Sequence, residues 1–283
     1  CMLESRVLPD NISSPMTIIA AVGLFIQLSL QGNLLGYRPK FMKFQSPLES
    51  ATLIKRYKRF LADVRLENND VMTVHCANTG SMMGLSDPNQ KIWIENSKNP
   101  NRKLKFSWKL NELQSNSFVI VDTGMANKIV KEALKSNIIE ELSGYSDLFS
   151  EVSYGINSRI DFLLEFEDKP KCYVEVKSVT LSRENYLAEF PDSVTSRGAK
   201  HLIELAQVAK SGCRAVMVFL VCRNDCKFYT IADDLDPFYA KCFRKAVKAG
   251  VEVLCYDTII TNENVQIGRP LPAYTALINR KNV

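Results

Sequence analysis

This sequence of 283 residues lacks the short motifs on which several common enzyme classes depend. It contains no G-x-x-x-x-G-K-[ST] phosphate loop and no G-x-G-x-x-G turn, which argues against a nucleoside triphosphatase and a Rossmann-type dehydrogenase. Its two histidines are His75 and His201. A metal site made of several imidazoles, or a Ser-His-Asp relay, is therefore not expected.

Paired cysteine motifs are also missing. The eight cysteines include no C-x-x-C pair, so we do not expect a zinc ribbon. Several cysteines, such as Cys172, Cys222 and Cys255, lie inside apolar runs typical of strands. We therefore predict reduced, buried thiols in a cytoplasmic protein.

The N-terminal region has little charge. Residues 11–37 carry no charged side chain, and residues 16–35 are largely apolar, about the 20 residues that a membrane-spanning helix needs. Polar residues and a glycine between positions 27 and 33 interrupt this run, and a strongly basic flank is missing. We predict no membrane anchor and no membrane partner, interpret residues 1–41 as a non-native or disordered extension, and take Met42 as the working start.

Positive charge is concentrated in one segment. The net charge of the chain is +5, and residues 43–120 hold twelve Lys and Arg against seven Asp and Glu. The remaining residues are almost balanced. This distribution predicts a local surface for polyanions.

The same segment is predicted to form a small barrel. Alternating apolar residues at 60–66, 71–76 and 91–95, and the run 103–110, indicate short strands separated by turns. Several short strands within about 75 residues favour a closed or half-closed barrel.

The pattern changes near residue 120. Helices are predicted over 128–136, over 197–211 and from an Asp236–Pro237 start to about residue 249. Strands are predicted at 215–222 and 251–256, and as a hairpin across 160–178. The expected fold class is α/β (α+β), with a barrel over 42–120 and a mixed sheet covered by helices over 121–283.

Three charged residues stand inside apolar strands of that hairpin. Asp161 lies in I-D-F-L-L, and Glu175 and Lys177 lie in Y-V-E-V-K-S. Side chains alternate along a strand, so Glu175 and Lys177 share one face, and the hairpin brings Asp161 beside them. Two carboxylates and an ammonium can hold a hard divalent cation beside a phosphate. The alternative is a structural charge cluster facing water.

Cations and aromatic residues alternate in two stretches of the predicted barrel. Cations bind phosphates and exposed aromatic rings stack on bases, so these stretches predict a nucleic-acid surface. The alternative places Trp108 and Phe106 in the barrel core. The candidate DNA contacts are Lys55, Arg56, Tyr57, Lys58, Arg59, Arg102, Lys103, Lys105 and Trp108.

Six segments resemble the bacterial and archaeal sugar fermentation stimulation protein A (SfsA) family. The resemblance runs from about Met42 to Leu277, and the family usually has Pro at the position of Ala77 and Ala at that of Ser193. The matching segments are Leu53–Val64, His75–Met82, Ser158–Leu164, Val174–Leu181, Phe190–Leu202 and Asp236–Ala240.

The resemblance implies an OB-like N-terminal barrel followed by a domain similar to the PD-(D/E)xK nucleases. In such nucleases the carboxylates that match Asp161 and Glu175 bind Mg²⁺, and the lysine that matches Lys177 assists the attacking water. The family itself is described as a non-specific DNA-binding protein and a regulator of maltose-related genes.

Two functions from different classes remain open at this stage. The first is a non-specific DNA-binding protein that regulates sugar metabolism genes, with or without a vestigial metal site. The second is a Mg²⁺-dependent phosphodiesterase that acts on DNA or RNA. In the second, Lys177, Glu175 and Asp161 are catalytic, and Arg197 and Lys200 face the phosphate.

Overall fold

The computed structural model describes residues 41–273, and all of them belong to one compact unit. Predictions made for residues 1–40 therefore lie outside the described residues. Between residues 41 and 120, the described elements are all strands. These are β1 (Met42–Lys43), β2 (Leu48–Tyr57), β3 (Leu61–Leu66), β4 (Val71–Cys76), β5 (Lys91–Asn96), β6 (Phe106–Glu112) and β7 (Phe118–Ile120).

Strands β2 to β6 form a closed five-stranded barrel. They pair in the order β4-β3-β2-β5-β6, and a parallel pairing of β4 with β6 closes the ring, with Cys76 opposite Trp108. Alternate side chains point inward, so Leu53, Val64 and Trp108 are completely buried in the barrel core. The predicted OB-like barrel is confirmed.

The C-terminal half alternates helices and strands. After helix α1 (Gly124–Lys135) and a short 3-10 helix (Glu140–Leu142), three strands follow one another without a helix: β8 (Asp147–Tyr154), β9 (Ser158–Glu165) and β10 (Cys172–Val179). The later elements are β11 (Leu181–Glu184), β12 (Leu187–Phe190), α2 (Ser196–Lys210), β13 (Arg214–Val221), β14 (Phe228–Ile231), α3 (Pro237–Lys248), β15 (Glu252–Ile260) and β16 (Asn264–Pro270).

Seven strands form the predicted mixed sheet in the order β1-β16-β15-β13-β10-β9-β8. The centre, β10-β13-β15, is parallel and the edges are antiparallel. Strand β13 (R-A-V-M-V-F-L-V) is apolar on both faces because α1 packs on one side of the sheet and α2 and α3 pack on the other. Each large apolar side chain buried in this way stabilises the fold by about 1.5–3 kcal/mol.

Strand β1 does not belong to the barrel, although the sequence assigned residue 42 to it. Met42 pairs with Val265 and Lys43 with Asn264 at the edge of the mixed sheet. A two-residue strand offers no measurable periodicity, so its partner is decided by tertiary packing alone.

Helices α2 and α3 begin at side-chain caps. Thr195 accepts a hydrogen bond from the backbone N–H of Gly198, and Asp236 accepts one from Tyr239 as the sequence predicted. Seven cysteines between residues 41 and 273 are free thiols, and six of them are buried. Within that range no helix has the length and apolar character needed to cross a membrane.

Candidate functional site

The β9–β10 hairpin brings the predicted charged residues together. Leu164 pairs with Cys172 and Phe162 with Val174, so the same register, continued by one residue, places Asp161 opposite Glu175. Regular pairing ends at this point, and the backbone N–H of Val176 donates to Asp161 Oδ2 at 2.7 Å instead of to strand β9. The carboxylate of Asp161 therefore occupies the place where the two strands separate.

Glu175 and Lys177 share one face of β10, as strand alternation requires. Lys177 Nζ donates to Glu175 Oε1 at 2.7 Å, and their side chains are 14% and 3% exposed respectively. Val174 and Val176 pack in the core on the opposite, α1-facing side. The ion pair is therefore largely shielded from water, which strengthens its electrostatic interaction.

Asp161 accepts hydrogen bonds from two donors, but its surroundings disfavour the ionised form of its carboxyl group. Asn127 Nδ2, on helix α1, donates to Asp161 Oδ1 at 2.6 Å, in addition to the Val176 N–H. Burial, together with the negative charge of Glu175, outweighs these donors and raises the pKa of Asp161 to about 6. A cation between the carboxylates would relieve this repulsion.

The pKa of Glu175 is shifted in the opposite direction. Burial disfavours its charge, but the hydrogen bond with His201 and the charge of Lys177 outweigh burial and hold the pKa of Glu175 below its usual value. Its second oxygen, Oε2, is buried and has no hydrogen-bond partner among the described residues. An ionised carboxylate with one bare buried oxygen is a costly arrangement unless a ligand completes it.

The donor set fits a hard divalent cation that keeps part of its water shell. Across residues 41–273, no group of three or more His, Cys, Asp and Glu side chains surrounds a common metal position. Mg²⁺ typically uses one or two carboxylates and completes its shell with water and phosphate oxygens. Asp161 and Glu175 supply that number of carboxylates.

His201 joins this site, although it was not among the candidate residues named from the sequence. The residue is buried, and its Nδ1 contacts Glu175 Oε1 and lies 3.3 Å from Lys177 Nζ. Arg197 Nε donates to His201 Nε2 at 3.4 Å. Because Nε2 accepts that bond, the ring proton is assigned to Nδ1, which donates to Glu175. Helical spacing was the available signal, because position 201 lies on the same face of α2 as positions 198, 202 and 205. All four residues are buried in the structure.

The two cations predicted on α2 have separate surroundings. Arg197 is exposed and lies beside His201. Lys200 Nζ donates to the carbonyl of Ile156 in the β8–β9 turn at 2.7 Å and lies 3.7 Å from Glu204. Arg197 therefore reaches the carboxylate site through His201, whereas the ammonium of Lys200 is held at the neighbouring turn.

Basic loops flank a pair of stacked rings on the barrel. We define the barrel loop surface as Lys58, Arg59, Phe60, His75 and Arg102. The rings of Phe60 and His75 are parallel within 5° at 6.5 Å, and Phe60 is 49% exposed. Burial, followed by the charge of the nearby Arg102, lowers the pKa of His75, which places the β5–β6 loop beside this stack.

The backbone of the barrel loop surface is strained at two residues. Lys58 and Arg59 both adopt left-handed backbone angles, with φ of 49° and 61°. Glycine or asparagine is the usual choice for such a conformation, and other residues adopt it at a cost of about 1–2 kcal/mol each. Strained residues of this kind cluster at functional sites.

Trp108 is not part of any surface, so its prediction as a DNA contact is wrong. Its side chain is completely buried, and its Nε1–H donates to the carbonyl of Leu110 at 3.2 Å. Alternation along β6 points the indole into the closed barrel, where only core atoms surround it.

The remaining predicted DNA contacts differ in whether their polar groups already have partners within the protein. Arg56 donates to the carbonyls of Asn78 and Gly80 at 2.8 and 3.1 Å, so it braces a loop. Lys55 pairs with Asp63 at 3.5 Å and lies over the Tyr57 ring, whose hydroxyl also binds Asp63. In the β5–β6 loop, Lys103 is exposed and Lys105 donates to the carbonyl of Pro100 at 2.7 Å.

Comparisons with known proteins agree with this architecture. A family model described as the SfsA N-terminal OB domain matches residues 54–121, and one described as the sugar fermentation stimulation protein RE domain matches residues 124–264. Both models meet where the barrel ends and helix α1 begins.

Curated relatives cover nearly the whole described region. The sugar fermentation stimulation protein homolog of Ruegeria sp. (strain TM1040) is 55% identical over 82% of this chain and 100% of its own length. The homolog of Roseobacter denitrificans is 52% identical over 82% of this chain and 99% of its own length. The solved structure of Pyrococcus furiosus SfsA in complex with Ca²⁺ is similar with a TM-score of 0.76 and 25% identity, covering 83% of this chain and 99% of that one.

Proposed function

Because this chain belongs to the sugar fermentation stimulation protein family, we propose that it binds nucleic acid on its barrel and hydrolyses phosphodiester bonds with a divalent cation. The observation that carries the proposal is the convergence of Asp161, Glu175 and Lys177, with Glu175 Oε2 buried and unpartnered among the described residues. Mg²⁺ is the proposed cofactor.

Binding is assigned to the barrel loop surface. OB-type barrels hold oligonucleotides on one strand face and on the loops between strands one and two and between strands four and five. In this barrel those loops carry Lys58 and Arg59 on one side and Arg102 and Lys103 on the other. Their cations contact phosphates without reading bases, so the binding is expected to be non-specific and salt-dependent.

The carboxylates would hold the cation. Asp161 and Glu175 are its proposed ligands, and the Pyrococcus furiosus relative was solved with Ca²⁺, another hard cation that prefers oxygen ligands. When bound, such a cation supplies an activated water and neutralises charge on the phosphate.

The chain's own side chains then position the reactants. Lys177 keeps one hydrogen bond to Glu175 and has two further N–H donors for the attacking water or a phosphate oxygen. His201 contacts the same oxygen of Glu175 as Lys177 and holds that carboxylate in place, and Arg197 extends the row of donors towards the surface.

A cleavage assay tests the proposal. Purified protein is incubated with end-labelled single-stranded DNA, duplex DNA and RNA in the presence of Mg²⁺ or Mn²⁺, beside Asp161→Asn and Lys177→Ala. We expect cleavage by the native protein and a loss of at least about 10³-fold in both variants. The matched control is Lys171→Ala, an exposed lysine of the same hairpin that pairs with Glu165 at 2.5 Å, and it should cleave normally.

A second candidate is a non-specific DNA-binding protein that does not cut. The exposed cations of the barrel favour it, and a role in regulating sugar metabolism genes rests on the family name. Native protein that shifts DNA but leaves all three substrates intact with either cation would contradict hydrolysis and support this candidate.

A further inference from the structure

A polar cleft lies between the barrel and the mixed-sheet domain. It encloses about 370 Å³. The barrel contributes Arg59, Thr79 and Gly80, and the other wall includes Ser178 and Thr180. Neither Asp161, Glu175 nor Lys177 lines it, but Ser178 directly follows Lys177 on strand β10.

The walls of this cleft are tied together. Ser81 Oγ donates to the carbonyl of Asp192 at 2.8 Å, and the N–H of Met82 donates to Asp192 Oδ2 at 3.3 Å. A Cβ atom at Gly80 would collide with the Asp192 carboxylate, so glycine is what allows the two walls to approach. The cleft is therefore preformed.

Its interior offers unused donors. Thr180 is 7% exposed, and its hydroxyl has no hydrogen-bond partner in the described part of the chain. The same holds for the hydroxyl of Thr79, and the Arg59 guanidinium has no ion-pair partner between residues 41 and 273. Hydroxyls and a guanidinium with free hydrogen-bonding capacity can bind a polar ligand that enters the cleft.

The two acidic residues of the cleft already have partners. Glu189 is bound by Arg183 at 2.6 Å, and Asp192 accepts the bonds from the barrel. The free groups are thus hydroxyls and one cation, which suit a sugar and its phosphate.

The cleft is also adjacent, along the chain, to residues from both parts of the proposed function. Arg59 precedes Phe60, whose exposed ring stacks on His75. On the other wall, Ser178 directly follows Lys177 on β10, and Thr180 comes just after the end of that strand. A single strand that stacks a base on Phe60 would have this cleft beside it.

The volume of the cleft limits which form of nucleic acid it can hold. A cavity of 370 Å³ has room for one nucleotide, but a base-paired duplex is far wider than such a space. We propose that this cleft binds one unpaired nucleotide, so that single-stranded nucleic acid is the preferred ligand. This inference rests on the proposed function and adds its substrate class.

Fluorescence anisotropy with one labelled oligonucleotide, single-stranded or annealed to its complement, tests the inference in EDTA. We expect the native protein to bind the single strand at least about tenfold more tightly than the duplex. Thr180→Val should weaken single-strand binding about fivefold to tenfold and leave duplex binding unchanged, because a hydroxyl donor is lost in the cleft. Thr230→Val, a half-buried threonine of β14 that does not line the cleft, is the matched control.

Thr79→Val repeats the test at an exposed loop position, where folding is not at stake. Equal affinity for both forms, or unchanged single-strand affinity in both cleft variants, would overturn the inference but not the proposed function. Absence of any binding by the native protein would instead overturn the proposed function.

Discussion

The candidate functional residues of the barrel and those of the mixed-sheet domain carry their charges in opposite ways. The barrel places Lys58, Arg59 and Lys103 on exposed loops, where water solvates them at little cost. The mixed-sheet domain places Glu175 beneath its helices and half-buries Asp161, where an uncompensated charge is expensive. The barrel's charges are suited to a long, mobile polyanion, whereas the buried acids require a compact partner at a fixed position.

The comparison also separates stability from function. In the barrel the interior is mainly apolar and the strained, charged loops lie outside it. In the mixed-sheet domain, the candidate site interrupts the core itself. Five predictions, in decreasing order of expected effect, test whether this division is correct.

The largest effect is expected for the barrel core. Trp108→Ala should reduce the free energy of unfolding by about 3–5 kcal/mol, because it leaves a cavity in a closed barrel. Urea unfolding followed by circular dichroism measures this loss. Trp108→Phe should retain native affinity for DNA at every salt concentration, and a lower affinity in this folded variant would return the indole to the binding surface.

The two histidines offer a direct contrast between the regions. His201→Ala should weaken Ca²⁺ or Mn²⁺ binding by about 10–100-fold, because Glu175 loses the donor that orients it. Isothermal titration calorimetry measures the affinity. His201→Gln, which restores an N–H donor, should recover part of it, and His75→Gln in the barrel should leave it unchanged. Equal losses in all three variants would show a general folding defect rather than positioning.

The dependence on pH should be confined to the mixed-sheet site. Because the pKa of Asp161 is raised to about 6, a cation must displace a proton below that value. Apparent Ca²⁺ affinity should therefore rise about tenfold per pH unit up to about pH 6 and then level off. Titrations at pH 5, 6 and 7.5 check this, and Asp161→Asn should remove the slope along with most of the affinity.

The same shift has a consequence for the metal-free protein. A carboxyl group whose folded pKa lies above its ordinary value of 3.8 stabilises the fold when protonated. This contribution is present below about pH 4 and is lost as the pH rises through about 6. Thermal unfolding in EDTA should therefore show a decline over that interval that Asp161→Asn lacks.

The smallest effect is expected for single cations of the barrel. Lys58→Gln and Lys103→Gln should each lower the slope of log affinity against log salt by about 0.7 for a single strand. Lys248→Gln, an exposed lysine of α3, is the matched control. A control variant that changes the slope as much would mean that the anion is held all over the protein rather than on the barrel loops.

Sequence patterns located most of the secondary structure that is amphipathic or capped. Alternation located β3 and β4 to within a residue, and the Asp236–Pro237 start located α3. Strand β8 was missed because it lies at the sheet edge, where exposed polar residues weaken the periodicity. The assignment of Trp108 to the surface failed because neighbouring cations were taken to indicate exposure.

The order of residues along the chain determined that Glu175 and Lys177 share a face, because side chains alternate on any strand. It also determined that Asp161 lies opposite Glu175, because a polar turn joins the two strands. It also determined that the excess of cations belongs to the barrel. Tertiary structure alone decided that His201 contacts Glu175, that Asp192 binds the barrel wall of the cleft and that β1 joins the mixed sheet. Those contacts join residues distant along the chain, and their geometry exists only after the sheet, helices and barrel have packed together.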